Sequence, residues 1–472
     1  MFSNMTLTFK ATRDNRSSAG WGRCWALGLL GLLVLPACSD NYLTDGVITI
    51  TTGQESDAWG VEPIAKNLVV EMVQSTKRTT LANVAAPVTS ISIGTDGPQN
   101  TVASFEATGF DASANVVMRG SSVPLGILGF EGADIKLFVG RAGGLSRAPG
   151  DLIYPRRHPQ MAVLYHGYLL ISGGDDSSAN LDVYDMARWQ VAPKQKALPK
   201  VPKSWAIAGS KLLLIDHEGA VWLDMSTYDT SEVDLPVGLD LANIIGGETI
   251  GSPGDPQYIV GATRTTDKPT SQVLRVDADA TLHLMKLGTP RLGAAAAVVD
   301  SQLVVVGGSD TGAGAEAANA AGTGFSDLPF PADARLGAAM VAVDATTVML
   351  AGGRDPATDE ISGFRSLDLA CAEDCAEVEI AKADFAFDHP RLFSLDESQL
   401  LAVGEEPTSG ETHVFTFDTG IGHALNEFAL RVPRVGASAF MFPNGQVGVL
   451  GGYTSADAET PASSVELFIP LP

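Results

Sequence analysis

Basic residues, histidine and cysteine are all scarce in this 472-residue sequence. It has 31 Lys and Arg against 55 Asp and Glu, with seven His and four Cys. The formal net charge is −24. So acidic a surface repels phosphate backbones, so no nucleic-acid partner is expected. Long apolar runs are also missing. Trp25 to Leu35 is a run of eleven residues, short of the roughly 20 that a spanning helix needs. The histidines (158, 166, 217, 283, 389, 413 and 423) are scattered, and no pair has metal-helix spacing. No Gly-x-Ser-x-Gly elbow or P-loop occurs. The expectation is therefore no catalytic residue, no metal and no cofactor, although a site assembled from distant loops would leave no motif.

Glycine is plentiful, at 50 residues. "RLGAAAAVVDSQLVVVGGSD" (291–310) has an apolar segment, a turn, a second apolar segment and a Gly-Gly doublet. The pattern recurs from Arg157, Arg335 and Arg434. Segments this short with turn residues between them read as β-hairpins. Glycine tolerates positive φ and close backbone approach, so the doublet marks a strand end and a sharp bend.

The units have a period of roughly 45 residues, a length typical of propeller blades. Unit starts fall near 155, 199, 241, 290, 334, 388 and 433. A third strand ends in Asp at Asp185, Asp224, Asp277, Asp368 and Asp418, and a fourth follows, for example Trp189-Gln190-Val191. The doublet, the Tyr of "VYD" at 183–185 and the nearby Trp189 resemble the kelch repeat. That resemblance implies a β-propeller. Unit two has Asp216-His217 in place of the doublet, and units three and six keep only Gly261 and Gly404. In unit four, "TGAGAEAANAAGTG" from Thr311 reads as a flexible loop. The last unit has three strands, so residues 143–154 are expected to supply its fourth and close the ring. The short strands of 39–142 suggest a small β-sandwich or stalk.

The first 38 residues read as a targeting segment. Lys10, Arg13, Arg16 and Arg23 precede the apolar run, which ends in Leu35-Pro36-Ala37-Cys38. This resembles a bacterial lipobox, which implies lipidation of Cys38 and anchoring to a membrane through lipid alone. By resemblance to the sorting rule, Ser39 favours the outer membrane, on its periplasmic face or at the cell surface. Loss of residues 1–37 removes four positive charges and one negative, taking −24 to −27. Cys371 and Cys375 remain, and an oxidising compartment favours a disulfide between them.

A basic residue stands 16 or 17 positions before the doublet in several units: Arg156 or Arg157, Lys200, Arg291, Arg335 and Arg434. These residues form a possible basic ring at the channel mouth that could bind an anion. The alternative is strand capping and pairing with carboxylates of neighbouring blades. The third-strand Asp residues fit turns or blade contacts better than calcium sites.

The resulting expectation is an all-β chain: a lipoprotein signal in 1–38, a small sandwich in 39–142 and a kelch-like propeller of about seven four-stranded blades in 143–472. Its role is that of a binding or scaffolding module for an unknown protein or glycan ligand. The alternative is a glycan-acting hydrolase or lyase at the channel mouth. Three or more inward-facing Asp, Glu, His or Tyr at one end would favour the enzyme. A channel of small apolar residues would favour the binder.

Overall fold

The computed structural model describes residues 42–471 except 76, 98–101, 127–133, 155, 165–166, 175–177, 194, 267, 320, 382–386, 397, 420–424 and 458–459. The segment read as a targeting signal, with Cys38, lies outside the described residues, as do His166 and His423.

The chain is all-β. Nine strands come first: β1 (Tyr42–Thr51), β2 (Asn67–Gln74), β3 (Lys77–Ala85), β4 (Ser90–Gly97), β5 (Val102–Phe110), β6 (Val116–Ser121), β7 (Leu125–Gly126), β8 (Asp134–Phe138) and β9 (Gly140–Arg141). They build two sheets, of order β4-β1-β8 and β3-β2-β5-β6-β9, with β7 on β5. In β2, Leu68, Val70 and Met72 alternate inward, as one buried face requires. They meet Phe105 of β5 and Ile48, Ile91 and Leu137 of the other sheet in one core, which makes a small β-sandwich.

Seven four-stranded antiparallel sheets follow, each a blade. Their first strands begin at Gln160, Ser204, Glu248, Ala295, Ala339, Asp388 and Ser438. The second strands explain the continuous apolar runs. Leu212, Leu213, Leu214 and Ile215 are all fully buried. Side chains alternate across a strand, so Leu212 and Leu214 pack towards blade one, while Leu213 and Ile215 pack towards blade three. Val304 and Val306 face blade five in the same way, and Leu303 and Val305 face blade three. Seven apolar clusters of this kind lie between successive blades, including one between blades seven and one. The ring is closed.

Closure uses β10 (Gly144–Asp151), which pairs antiparallel with Ser464–Ile469. Gly144 faces Ile469 and Leu145 faces Phe468, so the last blade has no open edge there. The same strand meets the sandwich: Glu55 pairs with Arg147 at 2.9 Å, and Gln54 donates to the Ala148 carbonyl. Phe138 of β8 packs on Trp189 and shares the core between blades seven and one.

The doublets adopt the bend expected of them. Gly307 and Gly308 have φ of +75° and +74°, and the other three doublets are also left-handed. A Cβ on Gly308 would lie 2.5 Å from the Leu292 carbonyl oxygen, and one on Gly174 2.2 Å from that of Arg157. The second glycine is thus where the chain folds back against the approach to its own first strand.

Blade four differs from the expectation. The segment read as a flexible loop contains its third strand, Ala315–Ala318, and the start of the hairpin to Phe325–Leu328. Its small residues suggested low complexity. Ala315 and Ala318 are instead buried, and Glu316 is fully buried against Arg291. The Cys371–Cys375 disulfide is present, with Cα atoms 5.8 Å apart, in the connection between the third and fourth strands of blade five.

Candidate functional site

The site is built at one backbone position that recurs around the ring. Two residues before the regular pairing of the first strand, blades three, four, five and seven place Gly246, Gly293, Gly337 and Gly436, all at positive φ (+62° to +80°). Blades one and six place His158 (φ +44°) and His389 (φ +45°) there. Positive φ is uncommon outside glycine, so two histidines held this way mark a functional candidate. Neighbours along the ring tie the turns together: the His158 N–H donates to the Gly436 carbonyl, and the Gly337 N–H to that of Gly293. Blade seven lies between blades six and one, and its glycine adds no side chain between the two imidazoles.

Blade six makes a second substitution. Pairing of Arg391 with Val403 corresponds to that of Gln160 with Ser172 in blade one. Gly404 then matches Gly173, and Glu405 takes the place of the second doublet glycine, Gly174. The second strand of blade six continues straight to Glu405 rather than bending. Glu405 is buried. Its Oε1 lies 2.9 Å from His158 Nε2 and its Oε2 3.4 Å from His389 Nδ1. The imidazole rings are 4.8 Å apart. Burial pushes the Glu405 carboxyl up, but hydrogen bonds and charge from the two histidines outweigh it and hold it at about 2.

This trio opens on a cavity of about 420 Å³ in the channel between the first strands. Trp205, Met161, Met340 and Phe440 give it apolar walls, with Ala296, Ala339 and Ala439 between them. Glu248 of blade three and Arg391 of blade six form an ion pair. Because these blades are not neighbours, the pair spans the channel. Two buried polar atoms on the cavity wall, Gln160 Oε1 and Thr412 Oγ1, have no hydrogen-bond partner. Thr412 lies opposite Glu405 in the ladder.

The basic residues singled out from the sequence stand elsewhere, and none of the six lines this cavity. Arg156, Arg291 and Arg434 are fully buried and pair with Asp182, Glu316 and Glu466 of their own blades. Each carboxylate also accepts two backbone N–H groups from the chain entering the blade, such as Gly288 and Thr289 on Glu316. These arginines instead donate to carbonyls at the strand bend, as Arg291 does to Gly307. They lock the blade entry, and their charge is neutralised inside the protein. Arg335 pairs with Asp333 and Glu377, and Lys200 with Asp216 at 2.8 Å. Arg157 lies over the Tyr453 ring and donates to the Ala456 carbonyl. These ion pairs are within blades, whereas Arg157 reaches across to blade seven.

The third-strand Asp residues are turn-formers. Asp185 accepts from Ala187 and Arg188 N–H, and Asp224 from Ser226 and Thr227. Sequence reasoning did not single out His158, His389 or Glu405. The available signal was a departure from the repeat: His in the glycine position of two blades, and Glu in place of a doublet glycine.

No protein-family model matches the chain, and no curated protein does. Solved structures of similar shape include that titled YjhT, at 10% identity and a TM-score of 0.39, covering 67% of this chain and 95% of that one. A streptogramin B lyase has 12% identity and a TM-score of 0.40, covering 68% and 96%. A quinoprotein alcohol dehydrogenase-like protein from Bacteroides thetaiotaomicron has 11% and 0.39, covering 77% and 89%. At these identities the likeness concerns shape alone.

Proposed function

We propose that this chain is an exported, lipid-anchored envelope protein whose kelch-like propeller binds a short glycan segment at the mouth of its channel. The observation that carries the reading is the cavity, whose volume is in the usual range for small-ligand sites. Phe440, half-buried on the cavity wall, offers an apolar face for a sugar ring. Glu248, Arg391 and Gln160 offer acceptors and donors for its hydroxyls, and the ion pair opens to exchange partners. A protein partner would need a broad complementary face, and a concave mouth of this size suits a projecting group better. The lipid anchor rests on the Leu35 to Cys38 resemblance.

The test is a panel of envelope-derived oligosaccharides added to the purified full-length protein, read by Trp fluorescence and calorimetry. At least one should bind, and Phe440→Ala should weaken it about tenfold or more. Absence of any binding across the panel, or binding untouched by Phe440→Ala, rejects this reading.

A second reading is a glycan-acting hydrolase or lyase at the same mouth. The convergence of His158, His389 and Glu405 at one end favours it, as the small apolar wall favours the binder. Chain cleavage of a bound oligosaccharide, lost in Glu405→Gln, would decide for the enzyme.

A further inference from the structure

We infer that His158, His389 and Glu405 form a binding site for a first-row divalent cation of the zinc type, with an open coordination position facing the channel. The inference rests on reading the channel mouth as a site, but not on the identity of any organic ligand.

The donor set comes first. Two imidazole nitrogens and one carboxylate suit Zn²⁺ and its neighbours, whereas Mg²⁺ and Ca²⁺ take mostly oxygen. The donor atoms of the three residues all lie within 4.8 Å of one another. Bonds of about 2.0–2.1 Å at tetrahedral angles place neighbouring donors about 3.3 Å apart. The two measured nitrogen–oxygen separations, 2.9 and 3.4 Å, bracket that value. Small side-chain shifts suffice to seat an ion.

The scaffold is the second argument. Six of the seven blade entries hold a left-handed backbone position, blade two having Pro202 there instead, and glycine occupies four of the six without strain. The other two are histidine, and both side chains line the cavity and converge on one carboxylate. Glu405 in turn occupies a doublet position, which makes its strand run on to the channel. Three departures from the repeat therefore meet at one point.

The third observation is unsatisfied polarity. Thr412 is buried beside Glu405 on the same wall, and its Oγ1 lacks a partner. A water or ligand atom held by the cation in its open position would supply one. Three protein ligands with a fourth position open is the usual arrangement of a reactive zinc site rather than a structural one. Binding removes the shared proton between imidazole and carboxylate, so affinity falls as pH falls.

The test uses the full-length protein stripped with chelator and dialysed. Titration with Zn²⁺ should give one equivalent bound at micromolar affinity or tighter. Co²⁺ should give visible absorption typical of low coordination number. His158→Gly and His389→Gly delete a ligand and restore the residue that other blades carry, so both should fold. Each should weaken Zn²⁺ by ~100-fold or more and bleach the Co²⁺ spectrum. His283→Ala, a surface histidine outside the cavity, should bind Zn²⁺ as the wild type does. No saturable binding below about 100 μM, or wild-type affinity in both glycine variants, overturns the proposal. Intact Zn²⁺ binding without any glycan binding would reject the glycan reading and leave the cation site standing.

Discussion

At the scale of single residues, the two histidines present a conflict between backbone and side chain. A non-glycine residue at positive φ costs on the order of 1 kcal/mol or more. His158 and His389 carry that cost twice over at positions where blades three, four, five and seven have glycine. Substitution by glycine relieves it and removes one hydrogen-bonding partner of Glu405, worth a similar amount. The expected result is that metal-free His389→Gly has a stability within about 1 kcal/mol of wild type in urea unfolding. An ordinary buried histidine truncated to glycine would lose several times that through cavity and hydrogen-bond terms. A loss of that size at position 389 would mean that the histidine is kept for stability rather than for the site.

At the scale of elements, β10 carries two duties. It completes the last blade beside Ser464–Ile469, and it receives the sandwich through Glu55. The hydrogen bond from the Arg147 side chain is the main reason that the Glu55 carboxyl is held below its ordinary 4.5, partly opposed by burial. A carboxyl depressed in the folded state stabilises fully above its unfolded value, and that contribution is lost as pH falls through the folded one. Stability of the wild type should therefore fall more between pH 5 and pH 3 than that of Glu55→Gln, by thermal unfolding at both values. Equal falls would show that the pair does not hold the sandwich to the closing strand. The closing role of β10 was legible in the sequence because residues 143–154 precede the first unit as other fourth strands precede theirs. The third strand of blade four was not, because alanines and glycines give no apolar period and only the packed neighbours reveal that Ala315 is core. The arginines were legible as a repeated feature but not as to their place. Spacing fixes the strand on which a residue sits, and the carboxylate that neutralises it lies some 25–32 residues away, as with Glu316 and Arg291 or Glu466 and Arg434. The site itself was written as exceptions to the repeat, which a search for the repeat passes over.

At the scale of the whole molecule, the proposed anchor and the proposed site stand at opposite ends of one argument about reach. Cys38 precedes the first sandwich strand, which starts at Tyr42, by four residues. Four residues span at most about 14 Å. A lipid on Cys38 would therefore hold the sandwich at the membrane surface, and the propeller would stand beyond it through the contacts of Glu55, Gln54 and Phe138. Among the described residues no helix is long and apolar enough to cross a membrane. One acyl chain binds a bilayer only marginally, while two or more hold firmly, so loss of the lipidated Cys should release the protein rather than weaken its retention slightly. With a net charge of −24, or −27 if residues 1–37 were removed, the freed protein would also be repelled by anionic headgroups. The expected outcome for Cys38→Ser is loss of labelled palmitate and a shift from the membrane to the soluble fraction. The variant should bind Zn²⁺ and any channel ligand as the wild type does, because the channel lies beyond the sandwich. Continued fractionation of Cys38→Ser with membranes, with palmitate incorporation undiminished, would refute the anchor. Release accompanied by loss of Zn²⁺ binding would instead mean that the N-terminal segment supports the propeller itself.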